Sequence, residues 1–169
     1  MITARSKGFQ LLDNNIEVLR MGIESLLNKT KGIGWKKEFI NRKGKYYPKF
    51  EETKSIDYNI IPALVTDYSN SFDNGAWLKQ QVLLELFSSV RDYRNKIAHH
   101  DEFNESSLGI LVRSLREAFK MLNLGSKFNE LEDLRMSSIQ PNIKGAALPR
   151  PYIKTSKSPS LQMAESDEE

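Results

Sequence analysis

Residues 91–102 are the part of this sequence best suited to acid–base chemistry. Both histidines, His99 and His100, lie there, with three cationic side chains before them and two acidic side chains after them. An ordinary histidine exchanges a proton near neutral pH, and an arginine can hold phosphate oxygens with paired N–H groups. Arg94 and His99 therefore suit cleavage of an RNA phosphodiester, in which the ribose 2′-hydroxyl is the nucleophile and no metal is required.

The same residues also have a purely structural interpretation. On a helix, Asn95 shares a face with Arg91 and with His99, each four positions away. Histidines and lysines near a helix C-terminus stabilise the helix dipole without taking part in any reaction. Because arginines are scattered along the chain, an Arg–His pair at this spacing is a weak motif by itself. Spacing alone leaves both interpretations open.

Amphipathic helices are predicted to position this cluster. Apolar residues recur every three or four positions over residues 6–28, 57–69, 76–99 and 104–124, and a short helix is expected at 35–41. No strand-like alternation is sustained, so we predict an all-α bundle of four to five helices. The predicted core stripes are Phe9, Leu12, Ile16, Leu19, Ile23 and Leu26 on the first helix and Leu78, Val82, Leu86, Val90, Tyr93 and Ile97 on the long helix.

The predicted boundaries follow glycine, proline and polar residues. Residues 71–75 are expected to form a turn, and Gly125 is expected to terminate the last helix. From residue 139 onward the composition shifts to proline, serine and lysine with few apolar residues, which is typical of a chain that cannot bury a core. We therefore predict a helical domain over residues 1–138 and a flexible tail over residues 139–169.

The composition of the 169 residues excludes several functional classes. There is no cysteine, which excludes disulfides, thiolate-bound zinc and cysteine nucleophiles. There is no apolar stretch long enough to cross a bilayer and no secretory signal at the N-terminus, so a cytoplasmic protein without a membrane partner is expected. Glycine-rich phosphate loops and zinc-protease motifs are absent, and we expect no metal and no cofactor.

A basic segment, residues 31–49, is the second candidate for contact with RNA. It has seven cationic residues and one acid, interleaved with Trp35, Phe39, Tyr46 and Tyr47. Lysines could contact phosphates while Trp35, Tyr46 or Tyr47 stack on bases. A solvated loop whose aromatic side chains pack into the core explains the same pattern equally well.

The segment Arg94-Asn95-Lys96-Ile97-Ala98-His99 resembles the R-x4–6-H motif of the HEPN superfamily, including the polar residue that usually follows the arginine. It is most similar to versions that read R-N-K-x-A-H-H near the end of a long helix. Those versions occur in bacterial defence proteins and in a eukaryotic transcript-surveillance endonuclease. The all-α pattern over about residues 6–135 agrees with that family, whereas the tail has no counterpart in the resemblance.

The resemblance implies a homodimer in which two motifs form one composite ribonuclease site. Arg94 would bind and activate the phosphate, Asn95 would orient the site and His99 would be the acid–base group. Some toxin members have a tyrosine two positions after the histidine, where this chain has Asp101. A regulatory protein or antitoxin is a further implied partner. Non-catalytic family members bind nucleotide, RNA or protein, and this is the alternative function. The predicted RNA-contacting residues are Lys36, Lys37, Arg42, Lys43, Lys45, Arg91, Lys96 and His100.

Overall fold

The computed structural model describes residues 2–73 and 77–131, with Trp77 described by its backbone alone. Within these residues the chain is all-α, with six α-helices, two short 3-10 helices and no strand. The helices are α1 (Ala4–Lys31), α2 (Trp35–Lys43), α3 (Ile61–Asp67), α4 (Ser69–Asp73), α5 (Trp77–Ala98) and α6 (Glu105–Met121), and the 3-10 helices are Gly44–Tyr46 and Gly125–Lys127. The predicted fold class is confirmed, and the sixth helix arises because α4 occupies part of the predicted turn at 71–75. The predicted tail lies outside the described residues.

Helix α1 is the longest element and supplies one wall of the core. The Thr3 Oγ1 atom accepts a hydrogen bond from the Ser6 N–H at 3.2 Å, which caps the helix N-terminus, and Gly32 at φ 83° terminates it. Phe9 departs from the predicted stripe, because it is 60% exposed. The other predicted residues are buried or pack against the core; these are Leu12, Ile16, Leu19, Ile23 and Leu26. The side chains that face the core are Ala4, Gly8, Leu11, Leu12, Asn15, Leu19, Ile23 and Leu27.

Helix α5 packs against α6, α1, α3 and α4, and its core face differs from the predicted one in its N-terminal half. The predicted Val90 and Ile97 are buried, and Leu86 and Tyr93 are partly buried against the core. Leu78 is 68% exposed and Val82 is mostly at the surface, although both were expected in the core. The buried stripe is instead Gln80, Leu83, Phe87, Val90 and Ile97. Arg94 lies on this same stripe, because it is four positions after Val90 and three positions before Ile97. The half-buried Arg94 therefore faces the interior of the bundle.

Helix α6 completes the core and has well-defined ends. The Asn104 Oδ1 atom accepts from the Ser107 N–H at 3.0 Å at its N-terminus. At its C-terminus Asn123 adopts a left-handed conformation (φ 59°), and the Leu124 N–H donates to the Phe119 carbonyl at 2.7 Å. The left-handed residue after the helix is thus Asn123, and the prediction that Gly125 has this role is wrong.

The chain between α2 and α3 runs along α1 and carries residues toward the end of α5. The Tyr58 hydroxyl donates to the Leu12 carbonyl at 2.7 Å, and Asp57 Oδ1 accepts from the N–H groups of Asn59 and Ile60 at 2.9 and 3.2 Å. The helix predicted from residue 57 begins at Ile61, because residues 57–60 form a turn before it. Across the described residues, no helix has the length and apolar character needed to span a bilayer.

Candidate functional site

The C-terminus of α5 separates the two histidines. Ala98 is the last helical residue, and the His99 N–H still donates to the Asn95 carbonyl at 2.9 Å. His100 adopts a left-handed conformation (φ 59°), and the Asp101 N–H then donates back to the Lys96 carbonyl at 3.0 Å. This is the Schellman arrangement, in which the backbone turns sharply after the helix. Both imidazoles are exposed, so each can contact a ligand or a second protein.

Arg94 lies at a pocket between α5, α1 and the segment before α3. The pocket has a volume of about 180 Å³, and its lining residues are Phe9, Leu12, Asp13, Ile16, Asp57, Tyr58, Arg94, Ile97 and Ala98. One guanidinium N–H of Arg94 donates to Asn95 Oδ1 at 3.2 Å. Asn95 therefore restrains the arginine side chain.

Arg94 differs from the other half-buried arginines in what it contacts. Each of the others contacts a carboxylate or a backbone carbonyl; these residues are Arg5, Arg20, Arg91 and Arg116. Within the described residues the Arg94 side chain hydrogen-bonds only to the Asn95 amide and forms no ion pair. An arginine has five N–H donors, so most of those on Arg94 have no acceptor in this part of the chain. A phosphate is the ligand that such a group binds best.

Arg5 belongs to the same region, although the sequence analysis did not single it out. Its guanidinium donates to the Ile97 carbonyl at 3.5 Å and also to the Asp101 carbonyl. These contacts place a positive charge at the carbonyl end of α5 and hold the turn that contains His99 and His100. The residues are more than ninety positions apart in sequence, and no local pattern could have predicted the contact.

Two other predicted RNA-contacting residues lie on α5 beside the motif. Arg91 pairs with Asp92 at 3.3 Å, so its charge is partly neutralised. The exposed Lys96 places its ammonium 5.1 Å from the centre of the Tyr93 ring, a cation–π distance. Lys96 thus remains accessible to a phosphate.

In the basic segment, two of the predicted RNA-contacting cations have partners inside the fold. Lys36 is within 3.8 Å of Glu24 and lies over the Phe50 ring. Arg42 pairs with Asp67 at 2.8 Å, and the hydrogen bond to that carboxylate is the main cause that raises the arginine pKa. These contacts favour the structural interpretation for Lys36 and Arg42.

The other members of the segment are divided between core and surface. Trp35 is buried, and its indole N–H donates to Asn28 Oδ1 at 3.0 Å, so it cannot stack on a base. Lys37 and Lys45 are exposed, and Lys43 is half-buried. Tyr46 is 63% exposed and Tyr47 packs on Phe39. The stacking candidate that the structure leaves at the surface is therefore Tyr46.

The helical part of the basic segment contacts the opposite end of α1 from the Arg94 pocket. Trp35 and Lys36 contact residues 24–28 of α1, whereas Arg94 shares its pocket with residues 9–16. At about 1.5 Å per residue, some 12–28 Å of helix separates the two regions. The structure therefore does not bring Lys36 next to Arg94.

Comparison of the chain with protein-family models, with curated proteins and with solved structures found no match. The described residues include no group of three or more histidine, aspartate or glutamate side chains placed to hold one metal ion.

Proposed function

We propose that this protein is a metal-independent endoribonuclease that acts as a homodimer. The observation that carries the proposal is the half-buried Arg94, which has no carboxylate partner in the described residues and lies five positions before an exposed histidine. Although Asp13 and Asp57 line the same pocket, Arg94 forms no ion pair in the described residues, so its permanent charge can bind an anionic ligand, and the exposed imidazole of His99 is available for proton transfer. RNA supplies its own nucleophile, so these two groups meet the minimum requirements of the reaction.

In the proposed reaction, His99 of one subunit removes the proton from a ribose 2′-hydroxyl. The 2′-oxygen attacks phosphorus while Arg94 stabilises the negative charge that develops on the phosphate oxygens. His99 of the second copy gives a proton to the 5′-oxygen as that bond breaks. The products are a 2′,3′-cyclic phosphate and a 5′-hydroxyl end. Asn95 keeps the guanidinium oriented through its hydrogen bond.

The surface around the Arg94 pocket supports the proposed dimer. Phe9 and Ala98 line this pocket and are both exposed in the single chain. A second copy placed here would cover apolar surface and bring two motifs close together. The two-fold arrangement would supply one histidine to accept a proton and another to donate one.

The test is cleavage of a labelled single-stranded RNA in excess EDTA by the wild-type protein, Arg94→Ala and His99→Ala. We expect each substitution to reduce the rate by about 10²-fold or more, the usual contribution of an acid–base group. Arg113→Ala, at an exposed position of α6 away from the pocket, is the matched control and should cut normally. Circular dichroism and size-exclusion chromatography confirm equal folding and oligomeric state.

A substrate with a single 2′-deoxyribose at the cleavage site should resist cutting, because its nucleophile is missing. If the wild type cuts RNA and both variants cut it equally well, Arg94 and His99 are not the catalytic pair. If the wild type binds RNA or a nucleotide without cutting it, the alternative of a non-catalytic binding module replaces the nuclease.

A further inference from the structure

A second pocket lies beside the Arg94 pocket and has the size of one nucleotide. Its volume is about 330 Å³, within the range of small-ligand sites. Residues 46–50 form one wall and residues 54–60 form the other. We call it the Tyr46 pocket; its lining residues are Tyr46, Tyr47, Pro48, Lys49, Phe50, Lys54, Ser55, Asp57, Asn59 and Ile60.

The aromatic wall of this pocket has two rings that are anchored to the core and one ring that is exposed. Tyr47 and Phe50 pack on the buried Phe39 ring with centroid distances of 5.8 Å, which anchors the wall to the core. Tyr46 is 63% exposed, with the Lys45 ammonium 4.8 Å from its ring centre. An exposed ring beside a cation can stack on a nucleobase while the cation attracts the adjoining phosphate.

The opposite wall offers hydrogen-bonding groups that the fold does not use. Asp57 Oδ1 accepts two backbone N–H groups of the turn, which fixes the carboxylate while its other oxygen has no partner among the described residues. The exposed Asn59 side chain makes no hydrogen bond in that part of the chain. A carboxylate and an amide are the groups that read the edge of a base. On the aromatic wall, Lys49 is exposed and forms no ion pair with any described residue.

The Tyr46 pocket shares one lining residue with the Arg94 pocket. Asp57 lines both pockets, so both are found at the turn that contains this residue. A nucleotide chain that places a base against Tyr46 can extend its backbone past Asp57 toward Arg94. Asp57 is thus the residue that connects the C-terminal end of the basic segment to the motif, although the lysines of α2 lie elsewhere.

We propose that the Tyr46 pocket binds one base of single-stranded RNA and presents the neighbouring phosphodiester to Arg94. Tyr46 stacks on the base, Asp57 and Asn59 contact its edge, and Lys49 contacts a phosphate. The base must be unpaired to enter, because its faces and edge are covered in a duplex. This inference rests on the proposed nuclease function for its biological meaning, but the binding site itself does not require cleavage.

The test measures RNA binding in a His99→Ala background, so that cleavage does not interfere. The probe is a fluorescein-labelled single-stranded RNA of about ten nucleotides, followed by anisotropy, with the same RNA in a duplex for comparison. Tyr46→Ala should weaken binding of the single strand about 5- to 100-fold, the effect expected for loss of one stacked base. Tyr46→Trp should retain binding because an indole stacks on bases as well as a phenol does.

Ile33→Ala is the matched control, because Ile33 is an exposed side chain of the same basic segment that lines neither pocket. Lys49→Gln should lower the dependence of log Kd on log salt concentration by about one, the loss of one phosphate contact. Equal binding by Tyr46→Ala and the Ile33→Ala control would overturn the proposal. So would preference for the duplex, or no binding of the single strand by the parent protein.

The two proposals fail in distinguishable ways. If wild-type protein cuts RNA and Tyr46→Ala leaves both KM and probe binding unchanged, the nuclease stands and the pocket proposal is wrong. If Tyr46→Ala weakens binding while wild-type protein never cuts RNA, the pocket binds RNA and the nuclease proposal is wrong.

Discussion

Replacing His100 by glycine should make the protein more stable. His100 follows the last turn of α5 with φ 59°, a left-handed conformation that a side chain with a Cβ atom adopts at a cost. That cost is about 1–2 kcal/mol for an ordinary residue, and histidine lies toward the tolerant end. Glycine removes the strain but gives the unfolded chain more freedom, which costs about 0.4–1 kcal/mol. With a cost of about 1 kcal/mol for histidine, the net gain should be at most about 0.6 kcal/mol.

Urea denaturation followed by circular dichroism measures this gain directly, and a thermal scan should show a rise of about 1–4 °C in Tm. Two matched substitutions serve as controls for the change in stability. Ala98→Gly, in the last helical turn, should destabilise by about 0.5–1 kcal/mol. Asn123→Gly, at the equivalent position after α6 with the same φ of 59°, should gain less than His100→Gly because asparagine tolerates this conformation well.

A loss of stability in His100→Gly would refute this reasoning. It would mean that the imidazole makes contacts worth more than the backbone strain. Equal gains at positions 98 and 100 would also contradict it, because Ala98 is helical and has no strain to release.

Two further substitutions test contacts that hold α1 to the rest of the fold. Burial raises the pKa of Tyr58, so the folded state keeps its proton above pH 10 while the unfolded state loses it. Stability should therefore be complete below about pH 10 and fall as the pH rises further, and Tyr58→Phe should flatten that fall in alkaline urea titrations. The buried Asn15 exchanges hydrogen bonds with Asn129 at 2.8 Å in both directions. Asn15→Leu should cost about 2–4 kcal/mol by urea denaturation because two backbone groups lose their partners, whereas the exposed Asn14→Leu should change little.

The sequence predicts the helices of this protein, but it does not predict which face of the N-terminal half of α5 is buried. On α5, one apolar series runs through Leu78 and Val82 and another runs through Leu83 and Phe87, and both have helical spacing. Packing against α1, α3 and α6 selects the second series, and no local pattern contains that information. The buried series is also harder to recognise in the sequence because it includes a polar residue, Gln80. The Gln80 amide donates to the Val65 carbonyl at 3.1 Å in the core.

The candidate site was predictable only where its residues are close in sequence. Arg94 and His99 lie on one helix, so their spacing alone indicates that both are near the end of α5. Arg5 and Asp57 reach the same region from about 90 and 40 positions away, and neither belongs to a motif. The basic segment was predicted to contact RNA, but its residues have different environments in the fold. Arg42 forms an ion pair, whereas Tyr46 is exposed.

The burial of Arg94 bears on what its charge does. The predicted and the observed stripes of α5 both contain Val90 and Ile97, and Arg94 lies between them. Arg94 is half-buried, hydrogen-bonds to a single side-chain amide in the described residues and forms no ion pair there that would stabilise the fold. Departures from good local packing are concentrated at functional sites, where another requirement has to be met. Binding of an anion, as the proposed nuclease requires, explains a charge at this position, and stability alone does not.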